Sequence, residues 1–290
     1  MLHINDIHYR LKNTPEPKEV AEMREHILSS FSNLEFIEEG HKYYIHNEDG
    51  TIDTPISVSG LIKEFEPYVD WDVKAEGIAL KEGVTVDVIK RRWKENNLRA
   101  TNSGTQHHEF GESYMNFVRG LDSSTFCNSC VKQYEEGYLI PCAPKQEAIV
   151  KYWEDIFKID KLYPLLPEVK MYMPKDNKFG IKKLYCGTAD ITFAIKYKGE
   201  WCIIIMDYKT NASLTSGYNQ KFNICMLPPF DDMIDQPTGH YSFQLSAYQL
   251  MLMNLGYKVI DRKLIWLKDD GNYEKVALPD ITDKIIKVYQ

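Results

Sequence analysis

The sequence predicts an α/β protein built around one β-hairpin. Two β-rich runs, ADITFAIKY (189–197) and WCIIIMDYK (201–209), flank the short polar break Lys198-Gly199-Glu200, a hairpin signal. Around them the order helix, strand, strand, strand, helix, strand can be followed from residue 105 to residue 268. With 43% hydrophobic and 27% charged residues, the 290-residue chain can bury a full core, as one large domain or two small ones.

The end of the hairpin carries the chemistry. Four apolar residues, Ile203 to Met206, stop abruptly at Asp207-Tyr208-Lys209. Side chains alternate along a strand, so Asp207 and Lys209 share a face. Asp190 stands at the start of the partner strand, just after the Gly187-Thr188 turn. Two carboxylates and an amine at the polar end of buried strands are costly as structure. They make sense where a divalent cation neutralises the acids.

The elements follow in order. Residues 1–35 read as a polar start and a helix from Lys18 to Phe31, with Val20, Met23, Ile27, Leu28 and Phe31 at helical spacing. Tyr43 to His46 reads as a strand, Asn47 to Gly50 as a turn, and Ser57 or Ser59 as a helix N-cap. A helical stretch from Val84 to Leu98 leads into the most basic part of the chain, Lys90, Arg91, Arg92, Lys94 and Arg99. Charge alone fits equally a solvated helix face and a phosphate-contacting one, with Trp93 free to pack or to stack on a base. Asn102-Ser103-Gly104-Thr105 reads as a loop with a capping residue. The helix it opens carries His108 and Glu112, four apart on one face. Residues 120–145 look like a loop-rich insertion. Its Cys127, Cys130 and Cys142 lack a fourth ligand at a selective spacing, so reduced thiols are favoured over a structural zinc.

Gln146 to Ile159 is an amphipathic helix, and Leu166 to Met173 a strand containing Glu168. Lys175 to Lys183 reads as a basic hairpin loop. Thr210 to Pro237 is irregular and long enough to suggest a lid or binding loop. Gly239 to Leu255 returns to helix with Gln244 and Tyr248 on one face. Lys258 to Lys268 is a strand, and Ile281 to Tyr289 a closing strand or helix.

Composition removes several classes. A net charge of -7, from 35 basic and 42 acidic residues, argues against a generally basic nucleic-acid binder but leaves room for a local patch. Six cysteines do not make a disulfide scaffold. No secretory signal is evident, and no apolar run approaches the roughly 20 residues of a membrane helix. The expectation is an intracellular protein in a reducing compartment, without a membrane.

His108, Glu168, Asp190, Asp207, Lys209, Gln244 and Tyr248 thus lie on successive elements of one series. A surface salt bridge at strand ends would account for Asp190, Asp207 and Lys209, but not for the histidine or the Gln-x-x-x-Tyr helix.

The motifs GTQHHEFGE (104–112), GTAD (187–190), DYK (207–209) and QLSAY (244–248) resemble, in that order, the PD-(D/E)XK nuclease superfamily in its RecB-like exonuclease branch. SVSGLIKEF (57–65), followed by a helical stretch, is similar to mitochondrial genome maintenance exonucleases and phage relatives. The resemblance covers about two thirds of the chain and omits the first 50 residues and the 120–145 insertion. It implies an αβββαβ core, a central mixed sheet flanked by helices, over residues 101–290. Residues 1–100 would be an accessory region of helices and a β-hairpin that contacts DNA. It further implies that His108, Asp190, Asp207 and the Tyr208 carbonyl bind Mg²⁺ or Mn²⁺, and that Lys209 orients or deprotonates the attacking water. Gln244 and Tyr248 would hold substrate or the lysine, and Glu112 and Glu168 would be outer-shell or second-metal carboxylates. Some relatives hold an iron–sulfur cluster with late cysteines; no cysteine follows Cys225, so none is expected here.

The activity implied is a metal-dependent DNA exonuclease acting at ends or single-stranded flaps in replication, recombination or repair, among proteins of those processes. Lys90, Arg91, Arg92, Trp93, Lys94 and Arg99 would contact the DNA. A structure-specific endonuclease is the alternative on the same fold. A non-catalytic DNA-binding or partner-binding module is the alternative of another class.

Overall fold

Helix α1 (Lys18–Ser30) follows Pro17 and buries Val20, Met23 and Ile27, the face that its spacing predicts. The computed structural model describes residues 15–118, 134–135, 138–139, 143–156 and 162–290. A three-stranded meander comes next: β1 (Leu34–Ile37), β2 (Lys42–His46) and β3 (Ile52–Asp53). The short β4 (Ile56–Ser57) runs into α2 (Val58–Lys63), whose N-cap is Ser57; its hydroxyl accepts from the Gly60 N–H. Asp70 caps α3 (Trp71–Glu82), which ends on a left-handed Gly83.

Next is α4 (Val86–Val118), a single helix of 33 residues. The loop expected at Asn102-Ser103-Gly104-Thr105 is therefore corrected: α4 runs through it. Polar side chains there bond back to the helix itself, as Thr101 Oγ1 does to Asn97 Oδ1 and His107 Nδ1 to the Ser103 carbonyl. A helical glycine costs only about 1 kcal/mol relative to alanine, too little to break a helix continuing on both sides.

Two short strands, β5 (Tyr134–Glu135) and β6 (Tyr138–Leu139), are described within the expected insertion. Cys127, Cys130 and Cys142 lie outside the described residues. Then follow α5 (Pro144–Ile156), β7 (Leu162–Met173), β8 (Tyr185–Tyr197) and β9 (Glu200–Lys209). The β8–β9 turn is Lys198-Gly199, both in the left-handed region at φ 51° and 88°, as a twist-matched two-residue hairpin requires. The segment 210–237 contains a short helix, α6 (Gly217–Phe222). The chain closes with α7 (Pro237–Asn254), β10 (Lys258–Leu267), β11 (Tyr273–Ala277) and α8 (Thr282–Tyr289). Strand β11 adds to the elements expected from sequence, and the closing segment is a helix.

The result is a mixed sheet flanked by helices. Strands β11, β10, β9 and β8 are neighbours in that order, antiparallel except for the parallel β9–β10 pair. β7 lies antiparallel along β8, and β4 pairs in parallel with Tyr185 and Cys186 at its start. Strand β9 shows how one sequence serves two faces. Ile203 and Ile205 enter the core built with α1, α2, α7 and α8. Ile204, Met206 and Tyr208 enter the core built with α4 and α5. Asp207 and Lys209 continue the first set, which sends them toward α7.

Edge strand β7 carries Pro164 and Pro167, which cannot extend a ladder, and Arg24 of α1 covers its carbonyls, donating from Nε to Leu165 O at 2.8 Å. Among the described residues no helix is long and apolar enough to cross a membrane.

Helix α4 approaches the sheet closely at Gly111, where a Cβ would collide with the Tyr208 ring. Gly111→Ala should lower the unfolding free energy by about 1–3 kcal/mol, since both backbones are held by packing. Urea denaturation measures this directly; an unchanged midpoint would show that the Tyr208 ring yields.

Candidate metal centre

The site begins where β8 and β9 part. Their paired register ends at Ile191 opposite Met206, so Asp190 and Asp207 come next and face each other across the opening. Asp190 Oδ2 accepts the Tyr208 backbone N–H at 2.8 Å, where a ladder carbonyl would otherwise serve. The same oxygen lies 3.0 Å from His108 Nδ1 on α4. Glu168 reaches the group from β7. Ligand atoms of His108, Glu168 and Asp190 all lie within 4.8 Å of one another.

Asp207 stands beside this trio and is turned to Lys209, with which it forms a buried ion pair. Among the described residues neither Asp207 carboxylate oxygen has an aligned hydrogen-bond donor. What holds this acid is thus the charge of a flexible ammonium.

Glu168 adopts φ 42°, a left-handed conformation rare for a residue inside a strand. The β7–β8 register skips it, running from Pro167–Ile191 to Val169–Ala189. The chain is thus bent at the residue whose carboxylate enters the cluster, at a cost on the order of 1–3 kcal/mol.

Electrostatics reflect the crowding. Burial and the nearby Asp190 carboxylate push Glu168 up to about 8. The same two causes push Asp207 up to about 6. Burial also works against ionisation of Asp190, but the His108 imidazolium and the Tyr208 N–H outweigh it and keep this acid below its usual range. Desolvation disfavours the charged form of His108, yet Asp190 raises it to about 9. Lys209 stays charged because Asp207 and Asp190 overcome its burial.

A cleft of about 700 Å³ opens at His108 and Glu168. Helix α4 lines it with Gly104, Thr105, His108, Glu109 and Glu112, and β7 with Glu168 and Lys170. The β1–β2 hairpin forms the other wall through Phe36, Glu38, His41 and Tyr43, and Tyr43 is tied to Thr188 of β8 at 3.0 Å. Sequence reasoning misses this wall; the aromatic alternation of β1 and β2 is its only local signal.

The remaining predicted residues divide. Gln244 donates from Nε2 to the Tyr248 hydroxyl at 3.0 Å, and Tyr248 packs over Gly187, which lies inside β8 paired with Met171 rather than in the turn expected at Gly187-Thr188. Tyr208 meets the site through its N–H, while its hydroxyl accepts from Trp153 Nε1 at 2.9 Å on the far face of the sheet. In the basic stretch, Lys90 pairs with Asp72 and Arg92 with Glu82, both on α3. Trp93 packs edge-on against Trp71, with ring centroids 5.7 Å apart. Arg91, Lys94 and Arg99 are exposed on α4. Lys175 and Lys183, from the expected basic loop, are paired with Asp53 and Glu64.

No family model matches the chain, and no curated protein matches it.

One imidazole nitrogen and two carboxylates, with Asp207 adjacent, form a donor set of mostly hard oxygens, suited to Mg²⁺ or Mn²⁺. The neighbouring Cys186 offers no competing thiolate, because burial pushes its thiol up to about 12.

A cation taken up by this trio must displace protons from His108, held to about 9, and from Glu168, held to about 8. Binding therefore strengthens as pH rises through that window. The sign for stability is opposite in the metal-free protein. A carboxyl raised in the folded state favours folding below its unfolded value, near 4.5, and loses that advantage as pH climbs through 8. The Mn²⁺-induced rise in Tm should thus be larger at pH 8.5 than at pH 6, and Glu168→Gln should remove most of it. Calorimetry with and without Mn²⁺ checks both; a pH-independent shift retained in Glu168→Gln would place the ion elsewhere.

Proposed function

We propose that this protein is a metal-dependent DNA nuclease, acting by preference on DNA ends. The observation that carries the reading is the convergence of His108, Glu168 and Asp190 within 4.8 Å, with the buried Asp207–Lys209 pair close enough to feel their charge and with His108 and Glu168 lining an open cleft. Sequence segments far apart in the chain supply those side chains, which a chance salt bridge would not require.

His108, Glu168 and Asp190 would hold the cation, with Asp207 within reach once released from Lys209. A bound Mg²⁺ or Mn²⁺ would supply Lewis-acid polarisation of a phosphoryl oxygen and an acidified water. The residues do the rest. Lys209 brings a fixed positive charge to the anionic phosphate and orients the attacking water through its N–H bonds. The Tyr208 N–H holds the Asp190 carboxylate in one orientation. Gln244 steadies Tyr248, which fills the space over Gly187 and keeps the back of the site dry.

Lys209→Ala should lower turnover by about 10²–10³-fold, the scale expected when one charge-stabilising group is removed. End-labelled linear DNA and covalently closed circles, each with Mg²⁺ and with EDTA, provide the measurement. Metal-dependent loss of linear DNA alone supports the exonuclease; nicking of circles supports the endonuclease alternative. DNA binding without hydrolysis under any divalent metal would favour a binding module.

The exposed cations of α4 define the second test. Combined replacement of Arg91, Lys94 and Arg99 by alanine should reduce the slope of log affinity against log salt by about one unit for each phosphate that is no longer neutralised. An unchanged slope in filter binding would assign these residues to a solvated helix face.

A further inference from the structure

Beyond the motif residues, the buried lysine has a partner on α7. The Lys209 ammonium lies 4.5 Å from the centroid of the Tyr241 ring. That ring is itself fixed. The Tyr241 hydroxyl donates to Asn211 Oδ1 at 2.7 Å, and the Asn211 carbonyl accepts from Trp266 Nε1 of β10, also at 2.7 Å. One residue earlier, the Thr210 carbonyl accepts from Lys145 Nζ of α5 at 2.7 Å. The chain leaving β9 is thus held from α5, α7 and β10 within two residues of the lysine. Tyr241, Gln244 and Tyr248 lie three and four residues apart, on one face of α7.

We propose that Tyr241 is a positioning residue: its ring, anchored through Asn211 and Trp266, sets where the Lys209 ammonium stands when Asp207 turns to a metal. The need follows from the geometry. Asp207 is the lysine's ion-pair partner in this structure and lies close enough to Asp190 and His108 to feel their charge, so a carboxylate drawn to a cation there would loosen its hold on the amine. A four-carbon side chain then has freedom to swing. A quadrupole facing the ammonium in a desolvated setting limits that swing without competing for the metal, because an aromatic face offers no ligand oxygen. The Tyr241 hydroxyl is already committed to Asn211. The proposal rests on the nuclease reading for what the lysine does, but not for where it sits.

The test has two arms on the full-length protein. The first is NMR of protein labelled with ¹³C,¹⁵N-lysine, with the Lys209 signals assigned by their disappearance in Lys209→Ala. Ring-current shielding should move the Lys209 Cε protons upfield, in metal-free protein and with Ca²⁺ added. Tyr241→Leu should return them to the ordinary lysine range, and Tyr241→Phe should keep them shifted. The second arm is kinetics on linear DNA with Mg²⁺. Tyr241→Leu should lower kcat by about 10- to 30-fold, the equivalent of a desolvated cation–π contact, with KM and Tm little changed. Tyr241→Phe, which keeps the ring, should restore most of that activity. Unshifted lysine signals in the wild type overturn the proposal whatever the activity. So does an active enzyme whose kcat survives Tyr241→Leu, or one that Tyr241→Phe fails to rescue. A wild type with shifted lysine signals but no metal-dependent hydrolysis overturns the nuclease reading instead and leaves the ring–lysine contact standing.

Discussion

A single backbone hydrogen bond, from Tyr208 N–H to the Asp190 carboxylate, organises the molecule's chemistry. It occurs where β8 and β9 stop pairing, and it replaces a ladder partner with a side chain. Strands that continued in register would have left Asp190 and Asp207 as like charges directly opposite, a destabilising arrangement. Parting the strands and bonding one acid to the other strand's backbone separates their roles. Asp190 is directed toward α4 and His108, and Asp207 toward Lys209. The two-faced packing of β9 makes this durable, because Ile204 and Met206 on one side and Ile203 and Ile205 on the other fix the strand on which both depend.

The site works against folding. Three carboxylates, an imidazole and an ammonium are gathered in or near the interior, where unpaired charge is penalised. Pairing keeps Asp190 below its usual range and relieves Asp207 only in part, while Glu168 is both raised by burial and its acidic neighbours and bent into a left-handed backbone. Strain and crowding meet at this one residue, which also lines the open cleft. A purely structural ion-pair network would have no reason to leave Glu168 so poorly served.

Much of this is legible in the sequence, for identifiable reasons. The hairpin announces itself because Lys198-Gly199 breaks two β-rich runs, and the face shared by Asp207 and Lys209 follows from strand periodicity alone. The loop wrongly expected within α4 has an equally definite source. Asn102-Ser103-Gly104-Thr105 carries local capping chemistry, but helix propagation and packing on both sides override a cap signal worth about 1 kcal/mol. Glu168 stands out in the sequence only as an outlying carboxylate, because its approach depends on a left-handed backbone inside a strand that no local pattern encodes. Tyr241 is invisible there for a similar reason: only the fold brings its ring to the lysine. The aromatic wall of the cleft comes from a meander some sixty residues before His108, and a single sequence gives no pairing signal over that distance.

The continuity of α4 has a consequence of its own. Arg91 and His108 stand seventeen residues apart on one unbroken helix, a separation of roughly 25 Å at the usual rise. A polynucleotide touching both would span about seven nucleotides of stacked strand. The helix acts in that case as a ruler: it joins the place where a backbone is first gripped to the place where its phosphate meets the acids, with no hinge between them. Were such a strand bound, the fixed length of the helix, rather than base identity, would set how it lies.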